Sequence, residues 1–131
     1  MSESFNIEII SPEKKLLTDK INSATIPAFE GEMTILSNHI PIITFLRPGI
    51  IKVQKNDGNM DEFFVEDGTI EFFKNILVIL SSSIKNTKNL SKSFLNDLEK
   101  ETQNKLGSKD ISDHEVYVLN HKLATLKQIG I

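Results

Sequence analysis

The chain has no cysteine, a single arginine and no long apolar run, and each scarcity closes off a class of function. Without cysteine there are no disulfides and no thiolate zinc sites. Arg47 is the lone guanidinium, the group that usually forks onto phosphates and bases, and the remaining basic residues are lysines scattered along the chain. With a net charge of −3 as well, no nucleic acid is expected as a partner. No apolar stretch approaches the roughly 20 residues needed to cross a bilayer, so any membrane association is expected to come through a partner. The start, Met1-Ser2-Glu3-Ser4, has neither a basic segment nor an apolar h-region, and no signal peptide is expected.

The signatures of catalysis are equally sparse. Gly68-Thr69 reads as a turn rather than a phosphate loop, and no serine sits in a Gly-x-Ser-x-Gly elbow. The three histidines are His39, His114 and His121. The last two lie seven residues apart, two helical turns along one face and too far to share a metal. No metal and no cofactor are expected. Glu30 and Glu32 flank Gly31 and could form a carboxylate pair for acid–base work, but the same spacing fits a solvated loop. Catalysis would require a pocket joining Glu30, Glu32 and His39.

What is present is strand and turn chemistry followed by helix chemistry. At 131 residues and 39% hydrophobic, the chain is one domain, or one domain with an appendage, and can bury a modest core. Phe5, Ile7 and Ile9 alternate with Asn6 and Glu8, the period of a half-buried strand. Leu16–Ile26 is a second extended run, expected to stop at Pro27. Further strands are expected at Met33–Leu36, Ile42–Phe45, Ile50–Lys55, Asp61–Glu66, Thr69–Phe73 and Ile76–Leu80. Asn56-Asp57-Gly58-Asn59 and Asp67-Gly68 supply tight turns between them. Each doubled phenylalanine, Phe63-Phe64 and Phe72-Phe73, is expected to place one ring in the core and one near the surface or an interface. Short strands with frequent turns imply a β-sandwich or small barrel.

The period changes after Ser81-Ser82-Ser83. Leu90, Phe94, Leu95, Leu98 and Leu106 form a helical stripe, with Ser91 as N-cap, a Leu90–Leu95 staple and Gly107 as the stop. Ser112-Asp113-His114-Glu115 is a capping box, flanked by Ile111 and Val116 as a second staple, and Val116, Leu119, Leu123 and Leu126 share the next stripe. Residues 88–106 and 112–129 are therefore expected to form an αα-hairpin, with the polar Ser81–Lys88 linker as a hinge. The predicted fold class is α+β: an N-terminal antiparallel β-sandwich, residues 1–86, followed by a C-terminal antiparallel helical hairpin, residues 87–131.

The stretch Thr25–Gly49 holds three of the four prolines and the only arginine. Its Pro27, Glu30-Gly31-Glu32, His39-Ile40-Pro41 and Leu46-Arg47-Pro48-Gly49 resemble, in order and spacing, the epsilon subunit family of F-type ATP synthases. Phe5–Glu13, with its Ser11-Pro12-Glu13 turn, is similar to that family's first strand and turn. Asp67–Phe72 and Asn75–Leu80 are similar to two later strands, so the resemblance covers nearly the whole chain. It implies a non-catalytic subunit of the central stalk, beside the gamma subunit and touching the ring of c subunits, linking proton-driven rotation to ATP synthesis. On this reading Glu30, Gly31, Glu32 and His39 form the c-ring contact loop, and the gamma-facing surface is unassigned. The hairpin would reach the alpha and beta subunits transiently and could restrain ATP hydrolysis. The expected location is peripheral, on the cytoplasmic face of a bacterial inner membrane. The chain departs from the pattern at Asn38, where glycine is usual, a substitution expected to preserve the turn, and at Ser81-Ser82-Ser83-Ile84. It departs again at Leu90–Leu95, where Ser91 and Phe94 stand in place of the aspartate and arginine of ATP-binding members, so no ATP binding is expected there. The alternative is a free-standing β-sandwich module for ligand binding or dimerisation.

Overall fold

Alternating burial along the chain builds a two-layer sandwich, and the computed structural model describes residues 3–130. The strands are β1 (Phe5–Ile10), β2 (Lys15–Ala28), β3 (Gly31–Leu36), β4 (Ile42–Leu46), β5 (Gly49–Lys55), β6 (Met60–Val65), β7 (Gly68–Phe73), β8 (Ile76–Leu80) and β9 (Lys85–Asn86). One layer runs β1-β8-β7-β4, and the other is β3, the second half of β2, β5, β6 and β9; the long β2 joins them by pairing with β1, β3 and β5. Phe5, Ile7, Ile9, Ile21, Ile26, Ile35, Ile51, Ile70, Phe72, Leu77 and Ile79 close the core between the layers. Side chains of successive strand residues point to opposite faces, so these inward rows leave a complementary outward row on every strand.

The sandwich is not wholly antiparallel. β1 pairs with β8 in parallel, from Asn6 opposite Ile76 to Ile10 opposite Leu80. Nor does Pro27 end β2, which continues to Ala28. Pro27 lies between the last β5 pairing, at Thr25, and the single β4 bridge, at Ala28, so on that side the ladder makes no demand on its missing N–H. Its carbonyl accepts the Arg47 amide at 3.0 Å.

The linker is not a free hinge. Ser81 Oγ donates to the Asp67 carbonyl at 2.7 Å, Ser83 Oγ accepts the Glu66 amide at 3.0 Å, Ile84 is buried, and β9 pairs with β6. These serines tie the segment to the β6–β7 turn. A single 3-10 turn, Thr87–Asn89, follows, so the first helix, α1, begins later than the apolar stripe suggests and spans Lys92–Leu106. Ser91 caps it by accepting the Phe94 amide, and the Ser112–Glu115 capping box opens α2, Asp113–Ile129. Leu95 and Leu126 bury Phe64 beneath the hairpin, with Leu90, Phe94, Leu98 and Ile129 around them. Phe63 lies in the sandwich core, so the Phe63-Phe64 pair is divided between core and hairpin interface; Phe73, beside buried Phe72, is exposed.

Candidate functional site

Three surfaces stand out, and the first is the segment carrying the expected contact residues. It is not one loop. Gly31–Leu36 is strand β3, so Glu30 and His39 flank a six-residue strand and stand about 20 Å apart at roughly 3.3 Å per residue. Glu30 is exposed and its carboxylate accepts the Thr44 hydroxyl at 3.2 Å. Gly31 has φ 146°, a region closed to most side chains, and lets the β2–β3 turn close. Glu32 lies beside Arg47, Lys52 and His121 in a small pocket. His39 is half-buried at the other end: its Nδ1–H donates to the Ile40 carbonyl at 2.7 Å and its ring stands edge-on to Phe72 at 5.9 Å. The pocket that acid–base catalysis would need, joining Glu30, Glu32 and His39, is therefore not formed. Asn38 keeps the turn expected of it, with φ 67°, and exchanges hydrogen bonds with Asn75, itself at φ 59°.

The second surface is the outward face of β4, β7, β8 and β1. Register sets Phe45, Thr69, Leu80 and Ile10 in one row, Ile43, Glu71, Val78 and Glu8 in the next, and Phe73, Ile76 and Asn6 in a third. Ile43 is 75% exposed and Phe45 66%, with Phe73, Ile76 and Leu80 also open. Large apolar side chains clustered outward on a folded sheet mark an interaction surface. The alternation rule predicts which residues point outward, but in this sequence it does not reveal that three neighbouring strands turn apolar residues out together. The first row borders a groove of about 1060 Å³ that Pro12, Phe29, Glu30 and His114 also line.

The third surface joins hairpin to sandwich. Tyr117 donates its hydroxyl to the Phe29 carbonyl at 2.6 Å and accepts from Arg47 Nη1 at 3.0 Å. Arg47 Nη1 also lies 3.5 Å from His121 Nε2. His114 stacks on Phe29 with centroids 5.4 Å apart, and Tyr117 meets His121 at 4.5 Å. Burial, and then the Arg47 charge, push the His121 pKa below its ordinary value. The next residue, Lys122, is buried and ion-paired to Glu66. In the sequence His114 and His121 stand out only as candidate metal ligands; the signal for this row is the aromatic spacing 114, 117, 121 along one helix face. Ser91 and Phe94 are occupied structurally, Ser91 as a cap and Phe94 beneath the Lys85 ammonium, 4.3 Å from its ring centroid.

A small sandwich with an apolar outer sheet face and a docked helical hairpin is the build of a subunit in a larger assembly. Residues 4–87 match the family described as ATP synthase, Delta/Epsilon chain, beta-sandwich domain. The chain is 43% identical over 131 residues to the ATP synthase epsilon chain of Pelagibacter ubique, covering 99% of this chain and all of that one. It is 31% identical over 130 residues to the epsilon chain of Sinorhizobium medicae, covering 99% and 96% of the two chains. It belongs to the ATP synthase epsilon chain family, a family of stalk subunits rather than catalytic ones. In fold it is similar to a chain of the Euglena gracilis mitochondrial ATP synthase, solved as OSCP/F1/c-ring, with a TM-score of 0.80 at 19% identity over 95% of this chain and 80% of that one. A chain of the Tetrahymena thermophila mitochondrial ATP synthase central stalk and c ring gives 0.61 at 13% identity over 99% and 98%.

Proposed function

We propose that the chain works as the central-stalk epsilon subunit of a proton-translocating F-type ATP synthase, with residues 1–86 and 87–131 as its two working parts. It helps transmit rotation of the c ring to ATP synthesis in the catalytic head. The observation that carries the reading is the open apolar face of β4, β7 and β8 on a chain of this family. That face is assigned to the gamma subunit. The Glu30-Gly31-Glu32 turn is assigned to the c ring: it is exposed and acidic, and its glycine lets a partner's backbone come close. The resemblance groups His39 with this contact. His39 lies at the far end of β3, bonded to Ile40 and edge-on to the core ring of Phe72, so the ring contact rests on the Glu30–Glu32 turn. The hairpin is the part that would meet the alpha and beta subunits transiently. The assembly would hold the chain at the cytoplasmic face of a bacterial inner membrane; among the described residues no helix is long and apolar enough to cross one. A free-standing module gives way to this reading because full-length relatives are named as epsilon chains.

Reconstituted vesicles test the assignment. Exposed ion pairs contribute only about 0–1 kcal/mol each, so Glu32→Gln alone should lower proton-driven ATP synthesis mildly. Replacing Glu30 and Glu32 together with alanine should lower synthesis more than it lowers hydrolysis by the detached head, with assembly intact. Wild-type synthesis in the double variant would remove the turn from the ring contact. His39→Ala, at the other end of β3, should leave synthesis per assembled complex unchanged.

A further inference from the structure

We propose that Arg47, Tyr117 and His121 form a proton-released latch, which holds the hairpin on the sandwich while His121 is neutral and loosens it when His121 takes a proton. The proposal concerns the chain by itself and does not rest on the stalk reading. Its geometry is a relay across the joint between the two parts. The Arg47 guanidinium, at the turn between β4 and β5, points one nitrogen at both the Tyr117 hydroxyl and His121 Nε2, at 3.0 and 3.5 Å. The same hydroxyl reaches back to the Phe29 carbonyl at 2.6 Å, so one phenol bridges two sandwich segments. An arginine can only donate, so His121 must present an unprotonated Nε2 to complete the arrangement. A proton there sets two cations side by side in a half-buried joint and removes the acceptor.

The groups facing His121 fix the sign. Arg47 and Lys52 come from β4–β5, Glu32 from β3, and Tyr117 from α2 itself. Two cations therefore oppose one carboxylate among the described residues, and Arg47 meets the imidazole at 3.5 Å. Burial acts in the same direction. With the docked value below that of the free imidazole, near 6.5, the released hairpin binds more protons than the docked one in the window just below that value. Docking is then fully favoured above about pH 6.5, weakens as pH falls through the window, and levels off once the docked imidazole is itself protonated. The Lys122–Glu66 pair and the Phe64, Leu95 and Leu126 cluster hold the rest of the hairpin, so the latch biases docking without dissolving the helices.

Amide hydrogen exchange of the full chain, corrected for intrinsic rates, tests this between about pH 8 and pH 5. Protection of the α2 amides should be flat above about pH 6.5 and then fall by up to tenfold per pH unit, while core amides such as those of Ile7 and Ile26 hold their protection. His121→Gln should make the profile flat, and Tyr117→Phe should lower protection at every pH while keeping the slope. In the unaltered chain, imidazole NMR should show His121 titrating below about 6.5. A flat native profile, a slope that survives in His121→Gln, core amides falling in step with α2, or a His121 titration at or above 6.5 would each overturn the latch.

Discussion

Lys122 is 7% exposed, and its ammonium meets Glu66 across the joint between α2 and the sandwich. The two partners are not equivalent, since the Glu66 side chain keeps 36% of its surface in solvent against 9% for Lys122. Removing the lysine leaves a carboxylate that water can reach, whereas removing the carboxylate leaves a buried cation without a partner. Glu66→Gln is therefore expected to weaken hairpin docking by about 1–3 kcal/mol, and Lys122→Met by less than about 1 kcal/mol. Tyr117 is the only tyrosine and there is no tryptophan, so tyrosine fluorescence during denaturant titration reads hairpin release directly. Equal losses for the two variants would mean that Lys122 finds water by another route. Gly68 gives a second test at this scale. Its φ is 146° and an added Cβ would collide with the Leu80 carbonyl, so Gly68→Ala should destabilise the sandwich by about 1–3 kcal/mol or more, measured by thermal unfolding.

At the scale of elements, Ser91 and Phe94 decide what α1 can bind. Ser91 spends its hydroxyl oxygen on the Phe94 amide, and Phe94 packs toward the hairpin core with Lys85 over its ring. Neither offers a cation to a nucleotide phosphate. Calorimetry with MgATP is expected to show no saturable binding with a Kd below about 1 mM, or roughly 4 kcal/mol. The helix caps were legible because capping is local: Ser91 and Ser112–Glu115 act on amides within three residues, and they fall where the pattern placed them. Strand alternation was legible for the same reason, and Phe72–Phe73 divides as a strand residue pair must. What stayed hidden depends on distant partners. Pro27 reads as a stop until the gap between β5 and β4 beside it is known. The Ser81–Ser83 linker reads as a hinge until Glu66 and Asp67 are placed against it. Glu30 and His39 read as one contact loop even though Met33–Leu36 between them has strand character, and β3, Gly31–Leu36, holds them at opposite ends.

At the scale of the molecule, the sandwich turns apolar side chains outward on one layer and covers part of the other with its hairpin. The hairpin face is already satisfied, through Phe64 at 1% exposure under Leu95 and Leu126. Among the described residues the layer built from β1, β8, β7 and β4 has no such cover, and Ile43 and Phe45 stand 75% and 66% exposed on its edge strand β4. Side chains this open contribute little to folding, because burial is what makes an apolar group stabilising. They are also a liability for an isolated chain, since contiguous apolar patches promote self-association. Folding and association should therefore separate cleanly when these two residues are charged. Ile43→Glu with Phe45→Glu is expected to lower the unfolding free energy by no more than about 1 kcal/mol, the change at position 43 setting a second carboxylate opposite Glu71. It should lower any concentration-dependent self-association of the purified chain in sedimentation and abolish capture by immobilised gamma subunit. A matched change on the solvent face of α1, Lys100→Glu with Lys105→Glu, should do neither. If the doubly charged face still binds gamma as tightly as the native chain, gamma sits elsewhere, and the apolar rows of β4, β7 and β8 need another partner.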